Sequence, residues 1–543
     1  MQKIATDIQT FERLRQEGFT YVDKTEILWR MANGFRGSQF FIARPRRFGK
    51  TLAVTTLRAL FEGKREFFKG LAIDSLEWDW TPLPVLHITM NDAHRRSVDE
   101  LNSAWRSILR DEAVRNGIKL REDVAAPETF KNLINDLAAK SPTGKMVLLV
   151  DEYDKPLLGH LEKPDVNDFR DALKAFYSVI KSTEEKQRFM FMTGVSRFSK
   201  VSVFSDLNNL NDLTMDASVA TLFGYTHDEV RANFAESIHD FAIAHNQTDD
   251  EVFADIVKWY DGYRFEESAA PVINPVSLGL CLKSGKMNNY WSTTAMPTFL
   301  IDALKRHPLN FATIGVDDAT LGAYEPANPK IETLLFQTGY LTIASFAQIG
   351  AIRRYNLKFP NLEVENSFVT QLVGAYTGES SDRSSGFAFD AIKALYAGDA
   401  EAFADTLKLF FRTIPYDLTD RQNEQTWQAI VYAVLRLIGV NVGAEVRTAT
   451  GRVDMTVEMP GHCFVVEFKL DRPAEEAIAQ IRERGYADVF AGKDKPVSLI
   501  GVSFSSEKRT IVDVKTETLG ASAFKAMSRD EVFYDKMIHV IGL

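Results

Sequence analysis

The chain has 543 residues, 45% of them hydrophobic and 25% charged, with a formal net charge of −10, and that length implies several cores and several domains. No apolar run reaches the roughly 18–20 residues that span a bilayer, and Met1–Asp7 lack the apolar centre of a secretory signal. The two cysteines, Cys281 and Cys463, exclude a disulfide framework or a cysteine-rich zinc site, so the cytoplasm is the expected compartment, with no membrane partner. The acidic balance excludes a surface coated for nucleic acid, but a local basic groove or a metal-assisted site remains compatible with it.

Residues 1–220 alternate helical and strand-like segments. Strands are expected near 39–44, 84–90, 145–151, 188–194 and 213–217, in a mostly parallel sheet with helices on both faces. After the apolar run Phe40-Phe41-Ile42-Ala43 comes Arg44-Pro45-Arg46-Arg47-Phe48-Gly49-Lys50-Thr51, and then a helical segment from Leu52. Strand, loop, Gly-Lys-Thr and helix are the context of a phosphate loop, although Arg44 stands where the first glycine of that pattern falls. Backbone N–H groups over Arg44, Arg47, Phe48, Gly49, Lys50, Thr51 and Leu52 are expected to cradle ATP phosphates. Lys50 would face the β- and γ-phosphates, and Thr51 would hold Mg²⁺.

The next informative strand, Lys145–Val150, ends in Asp151-Glu152. In a P-loop ATPase the first acid orients the Mg²⁺ shell and the second polarises the attacking water, so Asp151 is the metal-side candidate and Glu152 the catalytic base. Thr193, at the end of the strand near 188–194, is the candidate for touching the γ-phosphate or the water; an ordinary strand-end threonine is the other reading. Thr226-His227-Asp228-Glu229 has the form of a capping box opening a helical lid over 221–295. Residues 296–365 suit a winged-helix-like module and 366–415 a helical linker, with a polar Gly/Ser joint at 378–386. If the ATPase assembles as a homo-oligomer, Arg197 and Arg264 are both candidates for an arginine finger.

A second constellation lies in a unit expected over 416–515, ahead of a tail at 516–543. Two β-prone runs, Gly451–Val457 and Cys463–Lys469, flank Pro460-Gly461 and read as a hairpin. A turn centred there sets Asp454 opposite Glu467, with Cβ atoms about 5 Å apart. The period of two puts Glu467 and Lys469 on one face. Asp454 and Glu467 are therefore the candidate ligands of Mg²⁺, for which Mn²⁺ could substitute, and Lys469 the group that positions the water attacking a phosphodiester. Glu424, near the start of a helix from Asn423 to about Leu437, could reach the metal; Glu445 and Gln480 are weaker candidates.

Taken together, Tyr21–Thr25, Arg44–Thr51, Leu149–Asp154, Thr193–Phe198, Asn208–Leu210, Trp259–Tyr263, Gly451–Asp454 and Val466–Lys469 resemble the bacterial family that pairs an AAA-ATPase-like domain with a C-terminal PD-(D/E)XK nuclease-superfamily domain. The resemblance spans nearly the whole chain and accounts for Arg44, because that family itself replaces the first glycine. It implies an α/β multidomain fold: a P-loop AAA-like core with a helical lid, then a restriction-endonuclease-like domain in which Asp454, Glu467 and Lys469 fill the motif and Glu424 matches the acid of the first helix. Related nucleases often carry Gln followed four residues later by Tyr, whereas Gln480 is followed by Arg484, with Tyr486 two further on. The implied activity is an ATP-regulated, Mg²⁺-dependent nuclease acting on DNA or RNA, with defence against foreign nucleic acid as a setting. The competing expectation is an ATP-gated switch or scaffold that binds nucleic acid or protein without cleaving.

Overall fold

A computed structural model describes residues 2–34, 37–91, 96–121, 124–161, 163–198, 209–291, 300–301, 303–304, 314–327, 330–377, 390–413, 441–447, 452–490, 493, 495–508 and 510–520. The chain divides into two compact units, 1–293 with 315–364, and 294–314 with 365–543.

In the first unit, five strands form a parallel sheet: β1 (Gln39–Ala43), β2 (Val85–Thr89), β3 (Met146–Asp151), β4 (Gln187–Gly194) and β5 (Asn211–Asp212), in the order β2-β3-β4-β1-β5. Every residue of β1 and β3 is buried, as expected of strands covered on both faces. This order places β4 between the strand that feeds the phosphate loop and the strand that ends in Asp151. Their C-terminal ends lie side by side, where ligands of open α/β sheets bind. The last strand is shorter and earlier than the expected 213–217. Asp212 Oδ1 accepts from Thr214 N at 2.9 Å and Asp216 N bonds back to Leu213 O, so the backbone turns instead of extending.

Beyond the sheet, helices His227–His245, Asp249–Tyr260 and Pro275–Ser284 pack around Phe234, Ile238, Phe241, Ile256, Tyr260 and Leu278, and Val22 of the N-terminal segment joins that core. The first two open with complete capping boxes, Thr226 with Glu229 and Thr248 with Glu251. A three-stranded sheet follows, β6 (Ile314–Asp317), β7 (Thr342–Ile349) and β8 (Ile352–Lys358), in the order β6-β8-β7, with helices Asp318–Gly322 and Ile331–Thr338 between β6 and β7.

The second unit holds β9 (Asn441–Arg447), β10 (Arg452–Glu458), β11 (Cys463–Leu470), β12 (Val497–Ser505) and β13 (Thr510–Leu519) in sequential order. β11 and β12 run parallel and the other pairs antiparallel. Helix Ala474–Glu483 packs with Cys463, Val465 and Leu499 on one face. On the other, Phe403 and Phe411 of helix Ala400–Thr413 meet Phe464 and Phe504. β13 runs through 519 and so crosses the boundary expected at 515. The Gly/Ser joint and the helix carrying Glu424 lie outside the described residues.

Candidate functional site

The loop after β1 is built around Gly49, whose φ of 88° sets the backbone for helix Lys50–Phe61 to begin at its N–H groups. Arg47 also adopts a positive φ, 68°, and donates Nη1 to Tyr290 O at 2.8 Å. Lys50 is buried; its ammonium donates to Arg44 O and Pro45 O, both at 3.0 Å, and burial lowers its pKa. Thr51 Oγ1 donates to Asp151 Oδ2 at 2.7 Å, while Asp151 Oδ1 is buried without a hydrogen-bond partner among the described residues. Burial raises the Asp151 pKa against the opposing pull of Thr51 and Lys50. A hydroxyl and a carboxylate with one unsatisfied oxygen form a hard donor set that fits Mg²⁺. Glu152 follows with a φ of 54° and its Oε2 lies 3.4 Å from Lys155 Nζ.

The other loop residues serve the support more than the cradle. The Arg44 guanidinium turns into the core, donating to Ala43 O and Thr214 O and lying 4.3 Å over the Phe265 ring; burial lowers its pKa to about 9. Phe48 is packed edge-on against Tyr263 and Phe265. Thr193 is fully buried and donates Oγ1 to Ile42 O at 2.7 Å, so in this arrangement its hydroxyl ties β4 to β1. Arg197 is ion-paired with Asp212, and Arg264 N donates to Thr342 Oγ1.

Two features went unassigned in the sequence. Asp154 is buried and accepts from Val195 N and Ser196 N, which fastens the loop after β3 to the loop after β4; a Cβ on Gly194 would come within 2.4 Å of its Oδ1. The cleft at the phosphate loop, about 330 Å³, is also lined by Tyr21, Val22, Leu222, Tyr225, Pro275 and Val276. Lys24, at the same cleft, bonds both oxygens of Glu229, the capping residue of helix His227–His245. The signal was the Tyr21–Thr25 run, which had no chemistry of its own to mark it.

In the second unit the ladder between β10 and β11 pairs Met455 with Val466. Beyond that pair side chains replace it. Phe468 N donates to Asp454 Oδ2 at 2.9 Å, and Asp454 N to Glu467 Oε2 at 3.4 Å. Lys469 Nζ donates to Glu467 Oε1 at 3.0 Å and to Phe468 O at 3.2 Å. Gln480, on helix Ala474–Glu483, donates its amide to the same Glu467 Oε1 and lies 3.4 Å from Tyr486 Oη. The departure in spacing is thus bridged in space: six residues, with a turn after the helix, bring the tyrosine to the glutamine. Glu467 and Lys469 are both buried. Among the described residues no group of three or more His, Cys, Asp or Glu converges, so a divalent cation here would rest on two carboxylates and backbone oxygens. Glu424 lies outside the described residues, and for Glu445 only its place on β9 is described.

A parallel sheet whose strands on either side of β4 lead into Gly-Lys-Thr and Asp-Glu defines a P-loop NTPase-type unit, and a mixed sheet with Asp and Glu-x-Lys on neighbouring strands defines a PD-(D/E)XK-type unit. The comparisons agree. Residues 5–204 match the family described as predicted AAA-ATPase, and residues 422–514 match the PD-(D/E)XK nuclease superfamily. A protein of Azotobacter chroococcum mcd 1, described as an uncharacterized protein in the vnfD 5' region, is 36% identical over 536 residues, covering 96% of this chain and 99% of its own length. The chain belongs to the family that joins an AAA-ATPase-like domain to a C-terminal PD-(D/E)XK nuclease-superfamily domain.

Proposed function

We propose that the chain is a Mg²⁺-dependent nuclease whose activity is governed by ATP binding in its first unit. The observation that carries this reading is the convergence of Asp454, Glu467, Lys469 and Gln480 at one end of the otherwise apolar strand β11. Burying the Lys469 ammonium and the Glu467 carboxylate together, beside half-buried Asp454 and Gln480, costs desolvation free energy that the sheet does not need for folding. Asp454 and Glu467 would hold the cation, which supplies positive charge to a phosphodiester as negative charge builds on it. Gln480 orients Glu467, and Lys469 is held where it can position the incoming water. Lys469 also carries protons that it could give to the leaving oxygen.

In the first unit, Lys50 would leave the loop carbonyls for the β- and γ-phosphates, and Thr51 with Asp151 would hold the Mg²⁺ of the nucleotide. Glu152 would orient the attacking water. Among the described residues that line the cleft, Glu152 is the one carboxylate. The helices over 227–284 would act as a lid through the Lys24–Glu229 pair. Defence against foreign nucleic acid is a setting that such a pairing would suit.

The test is cleavage of labelled DNA and RNA, single- and double-stranded, with Mg²⁺ or Mn²⁺ and with or without ATP. Metal-dependent products that vanish in Asp454→Ala are expected. Intact substrate under every condition, with ATP still bound, would transfer the reading to an ATP-gated switch. That second reading draws on one observation: the two-carboxylate limit of the described metal site.

A further inference from the structure

We propose that the outward face of the β7–β8 hairpin is a docking surface for duplex nucleic acid, with its isoleucine tip set against base edges and its cationic strand along the phosphates. The hairpin turns at Gly350-Ala351, and Ile349 and Ile352 face each other across the turn. They are 81% and 72% exposed, an unusual degree for large aliphatic side chains that no other element of the unit covers. Strand alternation puts Ala347, Ile349, Ile352, Arg354, Asn356 and Lys358 on one face, and all six are exposed. Tyr355 and Leu357 point the other way and are buried.

The charges sort by face in the same manner. Arg353, on the inward side, is consumed by Glu267 and by the Phe346 ring. Arg354 and Lys358 make no ion pair among the described residues, and no carboxylate occurs between Thr342 and Lys358. On the neighbouring strand, exposed Asp317 of β6 caps helix Asp318–Gly322, its Oδ1 accepting from Thr320 N, and it lies within electrostatic reach of Arg354, whose charge helps to lower its pKa. In a chain of net charge −10, an acid-free hairpin with two exposed cations and an apolar tip is complementary to a polyanion with an apolar interior. A second copy of the chain is a poorer occupant, because a two-fold contact would set Arg354 and Lys358 against like charges.

This inference rests on the nuclease reading for its biological sense but is tested apart from it. Fluorescence anisotropy of a labelled blunt duplex, with Ca²⁺ replacing Mg²⁺ to suppress cleavage, would be measured for the full-length parent, Arg354→Glu/Lys358→Glu and Ile349→Ser/Ile352→Ser over a range of salt. The charge variant should bind at least about tenfold more weakly, with a salt slope shallower by about two. The tip variant should lose affinity with an unchanged slope, and both should melt as the parent does. Should Arg354→Glu/Lys358→Glu fail to fold, Arg354→Ala replaces it, with a slope shallower by about one. A parent that binds no duplex, variants that bind as tightly as the parent, or a solution mass that falls by half in the tip variant would each overturn the surface. A parent that binds through the hairpin yet never cleaves in Mg²⁺ would leave this surface standing and remove the nuclease reading.

Discussion

Arg44 occupies the position where a phosphate loop usually needs glycine, and its surroundings show why the loop tolerates it. The side chain leaves the loop and enters the core, where two carbonyls and the Phe265 ring receive it, while its backbone carbonyl holds Lys50 in reserve. On the proposed reading, the loop cation that would meet the nucleotide phosphates is Lys50 and not Arg44. Lys50→Ala should weaken ATP binding by about tenfold to a hundredfold, the worth of a charge-assisted contact, measured by calorimetry. Glu152→Gln should bind ATP as the parent does but hydrolyse it about 10²–10⁴-fold more slowly. A hydrolysis rate left intact in Glu152→Gln would remove Glu152 from the chemistry. Glu363 offers a second residue-scale test. Its Oε1 accepts from Tyr290 N and Trp291 N, and burial pushes its pKa up to about 7 from an ordinary 4.5 against the opposing pull of Ser277 and those backbone donors. Because the folded-state value lies above the unfolded one, its contribution to stability is fully present below about pH 4.5 and is lost as pH rises through about 7. The loss is of order 3 kcal/mol. Glu363→Gln keeps the acceptor and cannot ionise, so chemical denaturation should show a flatter pH profile and greater stability above neutrality.

At the scale of elements, helix Ala474–Glu483 is held against β12 by the absence of a side chain. A Cβ on Gly501 would approach Ala474 O to 2.4 Å and Ala477 Cβ to 3.0 Å, a clash with backbone that only a shift of the helix relieves. Gly501→Ala should therefore destabilise the second unit by about 1–3 kcal/mol. It should also carry Gln480 away from Glu467, lowering cleavage in the fraction that stays folded. Gly461, in the hairpin turn, has open space around its Cβ position, and Gly461→Ala should change stability by less than about 1 kcal/mol. Equal unfolding midpoints for the two variants would contradict the close approach. The same close packing explains which elements could be read beforehand. Strands β1, β3 and β4 announced themselves as apolar runs, and the capping box at Thr226 as a local pattern, because each is fixed by neighbours in sequence. Gln480 could not be weighed correctly, since the turn that returns Tyr486 to it is set by packing on β11 and β12, not by spacing.

For the whole molecule, the two candidate sites lie in separate compact units, and that separation is what a variant pair can test. Sequence reasoning located both motifs because each is concentrated in a few residues beside a turn: Gly49-Lys50-Thr51 after β1, Asp151-Glu152 after β3, Asp454 and Glu467 across a hairpin. It did not locate the remaining lining of the phosphate-loop cleft, which gathers Tyr21, Tyr225 and Pro275 from distant parts of the chain, nor the insertion of β4 between β1 and β3. Since Asp454 lies in a different unit from Lys50, Asp454→Ala should abolish cleavage while ATP affinity and hydrolysis stay within about twofold of the parent. Lys469→Ala should retain metal, read as Mn²⁺ binding by calorimetry, and lose about 10²-fold or more in cleavage rate. Lys50→Ala is the informative reciprocal. If ATP governs the nuclease, it should keep Mn²⁺ binding at the second unit yet cleave without any response to ATP. Should Lys50→Ala cleave with the full ATP response of the parent, the coupling would have no route through the phosphate loop, and the two units would be independent enzymes on one chain.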